Sequence, residues 1–207
     1  MKTIIGAVVA AIAVSIAAGG CEGESDTSAT GTNQPGRSTI EATRSTPAQG
    51  GDTSEAPAPK VPVTSGKGRC VDPDSSAVAE AVNSLGPAPG GASYVVDSAA
   101  DAPAGSCPAL LWVLVATPRG TASSPWHVMF FSHDGYLGTA TAKATSYTKV
   151  VGSTERGVQV QYRWLAGSDA NCCPSGGPVV ITFTLGGDGR TMTPNPAIPD
   201  QVANPGG

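Results

Sequence analysis

The sequence predicts an α+β domain, with one N-terminal helix laid on a small antiparallel sheet of about six sequential strands and the whole stapled by disulfides. Three observations lead there. The hydrophobic period changes from 3.6 residues to 2 after Gly86. Two Asp-Gly pairs, Asp134-Gly135 and Asp188-Gly189, stand beside alternating runs, as tight hairpin turns do. Four cysteines, Cys70, Cys107, Cys172 and Cys173, fall within this region, an even set.

The helix is expected from a cap at Asp74 or Ser75 to Leu85. Val78, Ala81, Val82 and Leu85 stand at i, i+3, i+4 and i+7, which makes one apolar stripe, and Gly86-Pro87 supplies the stop. Strands are expected at Ser93–Asp97, Leu110–Ala116, Trp126–Phe131, Tyr136–Lys143, Val158–Trp164 and Val179–Leu185. Val158, Val160, Tyr162 and Trp164 alternate with polar residues, so that strand has one wet face. Leu110–Ala116 is apolar without a break, as in a central strand covered on both faces.

Ahead of this domain the composition is different. Met1 and Lys2 precede an apolar run from Thr3 to Ala18. As a helix it would be roughly 24 Å long, short of a hydrocarbon core of about 30 Å, so residues 1–20 read as a secretory signal. Ala18-Gly19-Gly20-Cys21 resembles the lipobox of bacterial lipoproteins, which implies acylation of Cys21 and anchoring to the membrane through lipid such as palmitate. From Glu22 to Gly66, 25 of 45 residues are Gly, Ser, Thr or Pro, and aromatics are absent. Such a stretch buries too little surface to offset its ordering entropy, so residues 21–66 are expected to be a disordered tether. Its composition also resembles O-glycosylated stalks. The folded domain is expected over 67–199, with a flexible tail over 200–207.

If lipidation consumes Cys21, the other four cysteines allow three pairings. Adjacent cysteines seldom bond, because the ring strains the peptide between them. The favoured arrangements therefore join Cys70 and Cys107 each to one member of the Cys172–Cys173 pair. Zinc sites favour paired C-x₂-C spacings, which do not occur, and no metal or other cofactor is expected.

Chemistry is sparse in this chain. The net charge is −4 with no basic block, which argues against nucleic acid as a partner. No nucleophile elbow, zincin motif, P-loop or dinucleotide fingerprint occurs, and no catalytic residue is assigned. Of the two histidines, His133 precedes the Asp134-Gly135 turn and is ordinary hairpin chemistry. His127 is expected as a polar position on a sheet face. The alternative is a small envelope hydrolase or transferase using His127 with an acid such as Asp134 or Asp169. Trp112, Trp126 and Trp164 are expected in the core, with an apolar groove for lipid or glycan as the competing role. If the domain binds something, the loops around His127, Asp134 and Asn171 are the expected surface.

The segment Trp126-His127-Val128-Met129-Phe130-Phe131, running into Asp134-Gly135-Tyr136-Leu137-Gly138-Thr139-Ala140-Thr141, resembles the signature of the LppP/LprE lipoproteins of mycobacteria and their relatives. Val158–Trp164 and the Cys-Pro-Ser-Gly-Gly loop at Cys173–Gly177 are similar to the later part of that family. The resemblance spans about Ala77 to Leu185. It implies an actinobacterial cell-envelope lipoprotein, lipid-anchored on the extracytoplasmic face of the membrane. Its partner would be an envelope lipid, glycan or protein, and no catalytic residues are transferred by it.

Overall fold

The computed structural model describes residues 60–205. Its elements in chain order are α1 (Ser76–Ser84), β1 (Val95–Ala99), β2 (Leu111–Ala116), β3 (Trp126–Ser132) and β4 (Gly135–Thr139). They are followed by β5 (Lys149–Ser153), β6 (Gly157–Trp164), β7 (Gly176–Leu185), β8 (Met192–Asn195) and the short α2 (Asp200–Ala203). Two four-stranded sheets result, β1-β2-β3-β4 and β5-β6-β7-β8, each a sequential antiparallel meander.

The expected single sheet of about six strands is thus corrected to eight strands in two sheets. Both additional strands hide their pattern. In β5 a bulge falls between Val150 and Gly152 and Val151 is exposed, so two adjacent valines stand where the sequence shows no period of 2. β8 contains Pro194, which is tolerated because β8 lies at the edge of its sheet.

The helix starts where its cap permits. The Ser75 hydroxyl accepts the amide N–H of Val78 at 3.4 Å, and Gly86 leaves the helix at φ 75°. Val78, Ala81 and Val82 face the first sheet and join Leu111, Val113, Val115, Met129 and Phe131 in one core. Intervening residues of the same strands, among them Leu114, Val128 and Phe130, point the other way. They meet Val158, Val160, Tyr162, Ile181 and Phe183 of the second sheet. The first sheet is therefore a middle layer, with the helix on one face and the second sheet on the other. The unbroken apolar run of β2 follows from this double covering. Phe130 is 1% exposed, and its ring sits 5.2 Å from that of Phe183 across the sheet interface.

Both Asp-Gly pairs stand at hairpins. Asp188 Oδ1 accepts the amide N–H groups of Arg190 and Thr191 and closes the β7–β8 turn. In β3–β4, Ser132 pairs with Gly135, which puts His133-Asp134 at the turn centre, one residue earlier than the Asp-Gly pair suggests.

The ordered chain extends beyond residues 67–199 at both ends. Thr64 is 0% exposed, its hydroxyl donates to Cys70 O at 2.7 Å, and Val63 N donates to His133 O at 3.1 Å. Residues 62–66, expected outside the domain, thus pack as part of it. At the other end, Val202 of α2 is 2% exposed and packs in the core between the sheets, so the tail is anchored through it.

The cysteine pairing also differs from the favoured cross-linking of Cys70 and Cys107 to the adjacent pair. Cys70 bonds Cys107, with Cα atoms 5.4 Å apart, and Cys172 is joined to Cys173. The reason is the layering. Cys70 N donates to Ala102 O and Ala104 N to Gly68 O, both at 2.9 Å, which aligns the segment before the helix with the Ala102–Cys107 loop. Those two cysteines belong to the core between helix and first sheet. Cys172 and Cys173 lie in the β6–β7 loop of the second sheet.

Candidate functional site

The expected site residues are not brought together. Cys21 lies outside the described residues. His127 is 8% exposed on the helix-facing side of β3, its ring edge-on to Tyr94 with centroids 5.3 Å apart. Its Nδ1 is buried with no hydrogen-bond partner, and burial pushes its pKa below the usual histidine value. Asp134 is at the opposite end of β3, ion-paired with Lys60. Asp169 Oδ2 accepts Ala166 N, Ser175 N and Ser175 Oγ at 2.9, 2.7 and 2.8 Å. The Ala166 amide, with the two Ser175 donors, holds that carboxyl below the ordinary range. Neither acid reaches His127, so the arrangement required by the hydrolase or transferase alternative is absent among the described residues. His133 Nε2 lies 2.9 Å from Pro108 O, a structural contact. No group of three His, Cys, Asp or Glu among the described residues could hold a metal ion.

Of the expected surface residues, Asn171 and Asp134 each border a hollow, the one at Asp134 being about 350 Å³. Two cavities, of about 320 Å³ and 450 Å³, share Tyr147 and Arg163 in their walls. Both volumes lie in the small-molecule range. The first also has Tyr162, Trp164 and Asn171 in its lining, with Gln201 and Asn204 from the C-terminal segment. The second runs to Trp126, Leu114 and Lys149. The two hollows adjoin at Tyr147 and Arg163, which line both, and are here called the cleft.

Local structure explains the placement. Trp126 exchanges two backbone hydrogen bonds with Thr145, both 2.9 Å, which holds the Thr145–Lys149 segment beside the start of β3. Tyr147 takes a positive φ of 53°, its N–H donates to Ala122 O at 2.7 Å, and its hydroxyl donates to Asn171 O at 2.6 Å. One residue thereby ties the loop before β3 to the loop before β7. Arg163 is at an exposed position of β6, and its Nη1 donates to Pro174 O at 3.1 Å. Trp164 lies over β7, where Gly176 is required because a Cβ there would collide with the indole.

Two polar groups in this lining are unsatisfied. The Tyr162 hydroxyl and the Trp126 indole N–H are buried without a hydrogen-bond partner. Each such group costs about 1–3 kcal/mol. Tyr162 is 1% exposed, and burial pushes its phenol pKa well above the usual value. Both atoms are also closed off from solvent, so they are packed behind the surface of the hollows rather than presented to them.

Trp126 and Trp164 each pack against the inter-sheet core, as expected, and each also borders the cleft. Tyr147 and Arg163 were not legible as site residues. The available signal was a single aromatic in the polar run Ser146-Tyr147-Thr148-Lys149.

Residues 105–188 match the family model described as LppP/LprE lipoprotein. Over this segment the chain is similar to the LppP/LprE lipoproteins. The segment covers β2 to β7 and thus Trp126, Tyr147, Arg163, Trp164 and Asn171 of the cleft. The LppP proteins of Mycobacterium bovis and Mycobacterium tuberculosis are each 35% identical to this chain over 81 residues. That stretch is 39% of this chain and 46% of theirs, so the chain spans about half the length of the curated relatives it matches. No solved structure matches at a significant level. No helix of the described residues is long and apolar enough to cross a membrane.

Proposed function

We propose that the protein is an extracytoplasmic cell-envelope lipoprotein, held to the membrane by acyl chains on Cys21, whose β-rich domain is a binding module. Residues 1–20 are then an export signal and the stretch after Cys21 is a tether that gives the domain reach. The match to the LppP/LprE family supports the lipoprotein assignment. The observation that carries the binding assignment is the cleft on Tyr147 and Arg163, walled by aromatic and amide side chains. Its occupant is an envelope lipid, glycan or protein.

Three experiments test this. Mass spectrometry of the native protein should find an acylated Cys21 as the first residue, and an unmodified chain starting at Met1 would refute the anchoring. Thermal-shift screening of the full chain against envelope lipids, glycans and small metabolites should give a stabilising hit. A photo-crosslinking side chain at position 147 should then report the same ligand class. The absence of both a shift and a crosslinked species defeats the binding assignment.

A further inference from the structure

We infer that the Cys172–Cys173 disulfide is a thiol-exchange site, opened by a dithiol reductant and able to close again. The inference goes beyond binding and stands on the placement of the two bridges, not on what occupies the cleft. Cys70 is 0% exposed, and its bridge ties the segment before α1 to the loop before β2 across a sequence separation of 37. Cys172 and Cys173 are both exposed, and their bridge, of separation 1, joins no two parts of the fold.

Folding therefore acts differently on the two. A bridge that stabilises the fold is stabilised by the fold to the same extent, because the two equilibria are linked. Folding brings Cys70 and Cys107 together from distant positions and shelters Cys70, so that bridge resists reduction. The adjacent pair closes no loop, so the fold adds little to a proximity that the sequence already provides. Its residues are also open to an attacking thiolate, and exposed disulfides of this kind are the labile ones.

Reduction leaves the loop in place, because its course is held by other bonds. The Tyr147 hydroxyl donates to Asn171 O at 2.6 Å, Arg163 Nη1 to Pro174 O at 3.1 Å, and Cys173 N to Ala170 O at 2.9 Å. Asp169 Oδ2 holds Ala166 N and Ser175 N as well. The two thiols thus stay side by side and the same bond can re-form. Asn171 lines the first hollow and Pro174 the second, so the exchange takes place beside the cleft.

The step balances as an ordinary exchange. A reductant thiolate bonds one Sγ, the Sγ–Sγ bond breaks, and its electron pair leaves on the other Sγ, which takes a proton from water. The reductant's second thiolate then bonds its own first sulfur and releases the remaining cysteine, which is protonated in turn. The protein gains two electrons and two protons, and the reductant ends as a disulfide.

The test places the folded full chain in dithiothreitol buffers of graded reduced-to-oxidised ratio, quenches with an alkylating agent and maps the modified cysteines by mass spectrometry. Cys172 and Cys173 should open at a ratio about tenfold lower than Cys70 and Cys107 require, with the melting temperature nearly unchanged at that point. Removing the reductant and adding oxidised glutathione should restore the bond. Cys173→Ser should leave a Cys172 thiol that forms a mixed disulfide with glutathione in the folded protein. Opening of Cys70–Cys107 first, or in step with the adjacent pair, overturns the assignment. So does a pair that opens only when urea unfolds the chain, a pair alkylated before any reductant is added, or a Cys172 thiol inert to oxidised glutathione.

Discussion

Replacing His127 by phenylalanine should make the fold more tolerant of mild acid. In the native structure the imidazole is buried against Tyr94 with Nδ1 unpaired, and burial lowers its pKa below the ordinary value of about 6.5. The folded state thus holds His127 neutral, while the unfolded chain takes up a proton as pH falls through about 6.5. Its contribution to stability is complete above that pH and is lost on acidification. Linkage limits the slope to about 1.4 kcal/mol per pH unit, and the total loss between pH 7.5 and 5.5 to about the same amount. Phenylalanine keeps an edge-on aromatic contact with Tyr94, worth about 0.5–1.5 kcal/mol, and cannot be protonated. Urea denaturation at half-unit steps from pH 5 to 8 measures this, with stability of wild type and variant compared at each step. Carboxylates with lowered pKa values, such as Asp188 at about 2, lose their contribution at lower pH and cancel in the difference. Parallel curves for the two proteins across pH 5–7 would refute the reasoning, because His127 would then not titrate differently on folding.

Two further outcomes follow from the layering. Cys70→Ser with Cys107→Ser opens a bridge with a sequence separation of 37 and should destabilise by about 4 kcal/mol. Removing both Cys172 and Cys173, whose separation is 1, frees no long loop and should change the melting temperature far less, as calorimetry will show. Phe130→Ala empties a fully buried site between the sheets and should cost about 3–5 kcal/mol in urea denaturation.

The helix, the hairpins and six of the strands were legible because each has a local cause: a capping serine, a turn residue or an alternation of period 2. What failed was what depends on partners distant in sequence. The unbroken β2 run showed that both of its faces are covered, but nothing local said that one cover is a second sheet. The same gap misplaced the disulfides. Strain in a ring of adjacent cysteines is a local argument, whereas the separation of Cys70 and Cys107 from Cys172 and Cys173 by a whole layer is not. In the cleft, Asn171 was found through its loop and Trp126 and Trp164 through their chemistry. Tyr147 was missed because a lone aromatic in a polar loop has no periodicity to reveal it. Its importance comes from two bonds to loops on either side, Ala122 O and Asn171 O.

The chain enters the folded domain at the Ser132–Asp134 end of β3, where Val63 and Lys60 are bound, whereas Trp126 at the other end of that strand borders the cleft. Six residue steps of extended backbone, about 20 Å, keep the two apart. A pull on the chain at Lys60 would load the hairpin and spare the Trp126 end. Attachment of the domain through Lys60 would therefore leave the Trp126 end of the strand, and the cleft beside it, unobstructed.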